Sequence, residues 1–213
     1  MPKVIKPYIE GWLNVAADGH CGFQALSFCK YSDEIHWLRV RQDIIEELTT
    51  YRDLYIRLCR GGKCSSMNYQ YSLSQMTIHF IFMFYFIGGE EEYLKRLDSL
   101  DCKLSIAPQD KWLDLTNMGL AIATAYQVVI TCYWKSLSCV YYPLEWRGFD
   151  DHLPSPPTAE WALGLAGDHF FILHMKDDAP IRYVPREWAM FRDPAVQCWE
   201  EYYEWRHALF VRG

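Results

Sequence analysis

The apolar positions of this chain change period along its length. After an extended lead-in they recur at helical spacing to about residue 126, then form short β-rich runs, and return to a helical stretch near the end. The lead-in, YIEGWLNVAA from Tyr8, carries Ile9, Trp12 and Val15 as residues available for burial and ends at an Asp18-Gly19 turn. The pattern then predicts a helix over 22–29. A second helix is expected behind Asp33 as its cap, with Ile35, Leu38, Ile45, Leu48 and Leu58 recurring at helical intervals and RGGKCSS, from Arg60, breaking it. Further helices are expected over 72–87 and 90–97, divided by Gly88-Gly89. APQDKWLDLTNMGLAIATAYQ, from Ala107, reads as a loop and then a helix that buries Leu120, Ile122, Ala123 and Tyr126. VVITCYW and SCVYYPL, separated by KSLS, read as two strands of a hairpin. DDHLPSPPTAE is a surface loop by its prolines, WALGLAGDHFFILHM a strand with His169 near its start, and AVQCWEEYYEWRHALF, after Pro194, an aromatic-rich helix. The sum is an α+β fold, with helices around a small central sheet.

Composition narrows the class. With 213 residues, 51% of them apolar, the chain can bury one substantial core with a small appendage. The formal charge of −6 argues against wrapping by nucleic acid, which needs clustered Lys and Arg, and favours a basic peptide or protein partner. The eight cysteines are scattered, and no secretory signal precedes them, so they are read as reduced thiols in a cytoplasmic or nuclear protein. No CxxC pair occurs, and Cys59 with Cys64 lacks a companion His pair, so no metal is expected. The run MTIHFIFMFYFIGG, from Met76, is shorter than the roughly 20 residues a bilayer requires and reads as a buried core helix.

The chemistry centres on NVAADGHCGFQALSF, from Asn14 to Phe28. Cys21 falls where a turn meets a helix. Unpaired N–H groups and the positive end of the helix dipole are expected there to lower a thiol's pKa. The backbone N–H groups of Gly19, His20 and Cys21 are placed to hold an oxyanion, and Gly19 permits the tight backbone this requires. A cysteine hydrolase also needs an imidazole to take the thiol proton. His20, His36, His79, His152, His169, His174 and His207 compete. His169 is preferred because it follows a Gly-Asp turn and opens a strand. On these residues alone, a structural cysteine stands beside the catalytic reading.

Three segments together resemble the ovarian-tumour (OTU) domain cysteine proteases. ADGHCGFQAL is similar to that family's Cys box, Asp-Gly-any-Cys-any-Phe-Arg/Gln-Ala, and GDHFFILHM to its His box. KWLDLTNMGLAIATAYQVVITCYW resembles the middle of OTU domains in fungal and plant proteins related to transposable elements. The resemblance spans about residues 8–176. It implies a papain-like fold in which Cys21 is the nucleophile, His169 the general base, and Asp18 the residue that shapes the loop and its oxyanion hole. Many members place Asn or Asp two residues after the histidine to orient it. Here that position is Phe171. By analogy with relatives that use an upstream polar residue, Asn14 is the first candidate for the orienting group, with Asp18 and Asp168 as alternatives.

The activity implied is that of a monomeric, cofactor-free deubiquitinase, hydrolysing the bond after the C-terminal glycine of ubiquitin, polyubiquitin or a ubiquitin-like modifier. Nucleic acid and membrane are not expected partners. Asp150, Asp151 and Glu160 are possible acidic contacts for the modifier's arginine-bearing tail, against the plainer reading of a solvated loop. Two alternatives are a mobile-element peptidase acting on another glycine-ended peptide and a weakly catalytic ubiquitin-binding module, the latter favoured by Phe171. The OTU-like domain is expected over 1–185, with 186–213 an aromatic-rich helical extension packed on it.

Overall fold

The computed structural model describes residues 1–66, 78–134, 138–148 and 159–212, with side chains described outside 61–88 and 212. At its centre is a five-stranded sheet of order β1-β5-β4-β2-β3, from β1 (Ile9–Asn14), β2 (Val129–Tyr133), β3 (Ser138–Tyr141), β4 (Glu160–Ala166) and β5 (His169–Met175). Neighbours are antiparallel except β2 and β4, which run parallel. The helices are α1 (Cys21–Tyr31), α2 (Trp37–Thr50), α3 (Arg52–Ser66), α4 (Ile78–Leu100), α5 (Leu115–Tyr126), α6 (Arg186–Phe191) and α7 (Cys198–Arg212). The α+β class, with helices around a small central sheet, is therefore as the hydrophobic periods indicate. The β2–β3 hairpin forms as expected, with Cys132 opposite Cys139.

Four expectations are corrected. WALGLAGDHFFILHM forms two strands, because Gly167 takes a left-handed backbone (φ +61°) and lets the chain reverse between Ala166 and His169. His169 thereby opens β5 at a sheet end. The break after the second helix lies at Tyr51, ahead of RGGKCSS: Thr49 Oγ1 donates to the carbonyls of Ile45 and Glu46 at 2.7 and 3.1 Å as α2 ends, and α3 then runs on to Ser66. Gly88-Gly89 does not interrupt α4. A Cβ on Gly89 would lie 2.3 Å from Arg60 Cγ and 2.9 Å from Ile56 O, so the missing side chain lets α4 cross α3 closely. The fourth is Trp12, which is 66% exposed. Positions 72–77, the burial of the run from Met76, and most of the proline-rich loop lie outside the described residues.

One face of the sheet packs on the helices in a single large core that includes Phe23, Ile44, Leu48, Ile122, Ile130 and Ile172. Trp188, Trp199 and Tyr203, from the segment after residue 185, belong to that core. Trp188 Nε1 donates to Pro143 O at 2.9 Å. On the other face Ile5, Tyr133 and Leu173 form a smaller cluster with Phe210 packed against it. Glu47, buried on α2, accepts Arg147 Nη1 and Nη2 at 2.5 and 2.8 Å, which ties the chain after β3 to the helical layer.

Candidate active site

Most residues of the DGHCGFQA stretch have a structural task. Asp18 Oδ1 accepts the His20 N–H and Oδ2 accepts Gln24 Nε2, both at 2.9 Å, so one carboxylate ties the turn to the first turn of α1. The Asp18 carbonyl accepts the Ala107 N–H at 2.8 Å. Gly19 sits at φ +84°, and a Cβ there would come within 2.4 Å of Ala107 O and 2.7 Å of Trp112 Nε1. Both the backbone angle and the close approach require glycine. Ala25 and Phe23 are fully buried in the core.

Beneath this loop lies a polar cluster that no motif announced. His20 is fully buried; its Nε2 donates to Leu104 O at 2.9 Å, its Nδ1 faces Arg41 Nη2 at 3.1 Å, and its ring stacks on Trp37 with centroids 3.6 Å apart. A guanidinium only donates, so Nδ1 must accept and His20 is the neutral Nε2–H tautomer. Burial pushes its pKa down, which agrees. Arg41 further donates to the carbonyls of Ser99, Leu100 and Lys111 at 3.0, 3.3 and 2.8 Å, and lies 3.7 Å from the centre of the Phe23 ring. Burial pulls its pKa down to about 10, so it remains charged at neutral pH. A charged residue within the apolar stripe of α2, three before Ile44 and seven before Leu48, was the signal available in the sequence.

Cys21, Asn14 and His169 are brought together although 155 positions separate the last two. Cys21 is 8% exposed. Its sulfur accepts the Phe170 N–H at 3.5 Å and its S–H donates to Asp168 O at 3.8 Å, so it abuts the backbone on both sides of His169. His169 Nε2 lies 2.8 Å from Asn14 Oδ1. An amide oxygen only accepts, so Nε2–H donates, and the neutral form of the ring then has its lone pair on Nδ1. Burial pushes the Cys21 thiol up, more than the N–H groups of Phe170 and Gly22 lower it. The expected depression at a helix N-terminus is thus outweighed by burial, which sequence does not display. One result follows for the resting protein. Alkylation of Cys21 by iodoacetamide should rise with pH only above the range of an ordinary thiol, because the thiolate forms as pH passes the raised pKa; a plateau already reached at pH 7 would contradict this.

The other sequence candidates go elsewhere. Asp18 is committed to the loop, Asp168 offers its main-chain carbonyl, and Phe171 packs edge-on against Trp12. The His20 N–H is engaged by Asp18. Glu160 accepts Arg206 Nη1 at 2.6 Å and lies at the opposite end of β4 from Ala166, about 20 Å along the strand from the position paired with His169. Among the other histidines, His207 is buried against Tyr142, His36 rests on Tyr31, and His174 pairs with Gly11 toward the far end of β5. Asp150, Asp151, His152 and the side chain of His79 lie outside the described residues.

No family model and no curated protein matches the chain. Among solved structures, it is similar to the viral OTU domain protease of Dera Ghazi Khan virus, at 13% identity and a TM-score of 0.45, over 81% of this chain and 85% of that one. It is also similar to the viral OTU domain protease of Farallon virus, at 15% identity and a TM-score of 0.43, over 82% of this chain and 88% of that one. At TM-scores below 0.5, these likenesses leave the chemistry to be argued from the site's own residues.

Proposed function

We propose that this chain is an OTU-type cysteine hydrolase acting as a deubiquitinase, in which Cys21 cleaves the isopeptide or peptide bond after the C-terminal glycine of ubiquitin or a ubiquitin-like modifier. The observation that carries this reading is the contact between His169 Nε2 and Asn14, next to a thiol held against the backbone around that histidine. With Nε2–H engaged, the imidazole has Nδ1 free to act as a base. Burial favours the neutral thiol at rest. His169 therefore takes the proton as the sulfur attacks the carbonyl carbon.

Negative charge then develops on the carbonyl oxygen. The N–H of His20 is bound to Asp18, which leaves those of Gly19 and Cys21 as the oxyanion donors. The imidazolium returns its proton to the leaving amine as the C–N bond breaks. Water, deprotonated by the same imidazole, attacks the thioester and releases the modifier's carboxylate and the free thiol. Asn14 holds the ring throughout, in the role that the residue at position 171 fills in many relatives. A polar partner for His169 supplied from β1 supports catalysis over a binding-only module. A reduced Cys21 is needed throughout, which fits a reducing compartment, cytoplasmic or nuclear.

The test is reaction with ubiquitin bearing an electrophile in place of its C-terminal glycine. The expected result is an adduct of one modifier, mapped to Cys21 and absent in Cys21→Ala. No adduct from folded protein at high concentration would overturn the deubiquitinase reading.

A further inference from the structure

Trp12 follows the alternation of β1 outward, and what surrounds it on the sheet gives it a use. Trp12 and Asn14 are two residues apart on the exposed face of β1. Phe171 is two residues from His169 on β5 and pairs with Asn14 across the ladder. The Trp12 and Phe171 rings meet edge to face, with centroids 6.3 Å apart and planes at 77°. Phe171 also pairs with Gly164 on β4, where a Cβ would come within 2.3 Å of the Phe171 ring. The ring therefore lies across a strand position that has no side chain. Exposed Ala166, opposite His169, continues the same face. The result is an apolar shelf of Trp12, Phe171 seated over Gly164, and Ala166 that begins at the catalytic imidazole.

The reaction orients a substrate on it. The scissile carbonyl sits at Cys21 with its oxygen toward the loop of Gly19 and Cys21, and its nitrogen must be within reach of His169 to receive a proton. Whatever the nitrogen carries continues on the His169 side, over this shelf. We propose that Trp12 and Phe171 form the leaving-group subsite, and that its occupant is the methylene stem of the acceptor lysine. The assignment rests on the function proposed above. A lysine is a charged head on a flexible four-carbon stem that covers apolar surface readily, and an indole beside a phenyl ring gives that stem two walls. In an isopeptide the head is the amide nitrogen at His169, so the stem alone remains to be bound.

Two modifier substrates separate the stem from the bond: ubiquitin amide-linked to the Nε of a lysine peptide, and ubiquitin C-terminal methylamide, which keeps the amide and lacks the stem. The quantity read is the ratio of their kcat/KM values. In wild type the lysine conjugate is preferred, and Trp12→Ala is expected to lower that preference about tenfold, the value of screening roughly two methylenes from water. Trp12→Phe, which keeps an aromatic wall, should hold the preference within about threefold of wild type. A wild-type ratio near one, or a ratio unmoved in Trp12→Ala, overturns the assignment. The second outcome includes an equal fall on both substrates, which is what a Trp12 that only shields the Asn14–His169 contact from water would give. Labelling of wild-type Cys21 by electrophilic ubiquitin is run alongside. Its failure overturns the proposed function itself, whereas labelling with an unmoved ratio overturns only the subsite.

Discussion

His169→Ala is expected to lower kcat/KM on a ubiquitin conjugate by about 10⁴-fold, and Asn14→Ala by about 10²-fold. The first variant removes the group that takes the thiol proton and protonates the amine. With Cys21 shifted toward its neutral form by burial, no standing thiolate compensates for that loss. The second leaves the imidazole in place but frees it to rotate and to populate the Nδ1–H tautomer, which has no lone pair at Nδ1 to take the thiol proton. Asn14 is exposed and His169 half-buried, so neither change should unfold the protein. The fall belongs in kcat, with KM little changed. Asn14→Asp should retain most of the activity, because a carboxylate oxygen accepts the same Nε2–H. Wild-type kcat in Asn14→Ala would remove Asn14 from the mechanism and leave His169 without the orienting partner described here.

Arg41→Ala is expected to cost about 3–5 kcal/mol of stability, read by chemical denaturation. The loss has two parts. One is packing against Phe23, where a long side chain is replaced by a cavity. The other is the set of acceptors left without a donor: the carbonyls of Ser99, Leu100 and Lys111, and His20 Nδ1. Arg41→Lys should recover less than half, because one ammonium cannot reach acceptors spread around a planar fork. Stability is only part of the readout. His20 immediately precedes Cys21 and is held between Arg41, Leu104 and Trp37, so any folded Arg41 variant should also lose activity through a displaced oxyanion loop. Wild-type stability in Arg41→Ala would mean that these acceptors find water at no cost.

The two halves of the site were unequally legible. Cys21 and its turn could be read because their geometry is local: a positive-φ glycine, a carboxylate bonded two and six residues ahead, and a helix start occupy a few consecutive positions. His169 could be selected among seven histidines only by its turn and strand, supported by the family resemblance. Asn14 could be named only by analogy with relatives. Its contact depends on β1 lying beside β5, a pairing across most of the chain that no short window encodes. The misread breaks have the same origin. Gly-Gly at 88–89 and Gly61-Gly62 weaken helix propensity, yet propensity is a small term against the packing of α3 on α4, and Gly89 is where those helices approach.

Taken alone, the sequence determined what short-range physics controls: the helix-then-sheet order, the β2–β3 hairpin, and the loop that presents Cys21. Tertiary structure decided what depends on distant segments and on depth. It set the register that places Asn14 against His169, the buried Arg41–His20 cluster under the loop, the exposure of Trp12, and the direction in which the Cys21 thiol shifts. The reason is physical. Backbone turns and helix starts are stabilised by neighbours along the chain, whereas strand pairing, burial and desolvation exist only once residues far apart in sequence exclude water together.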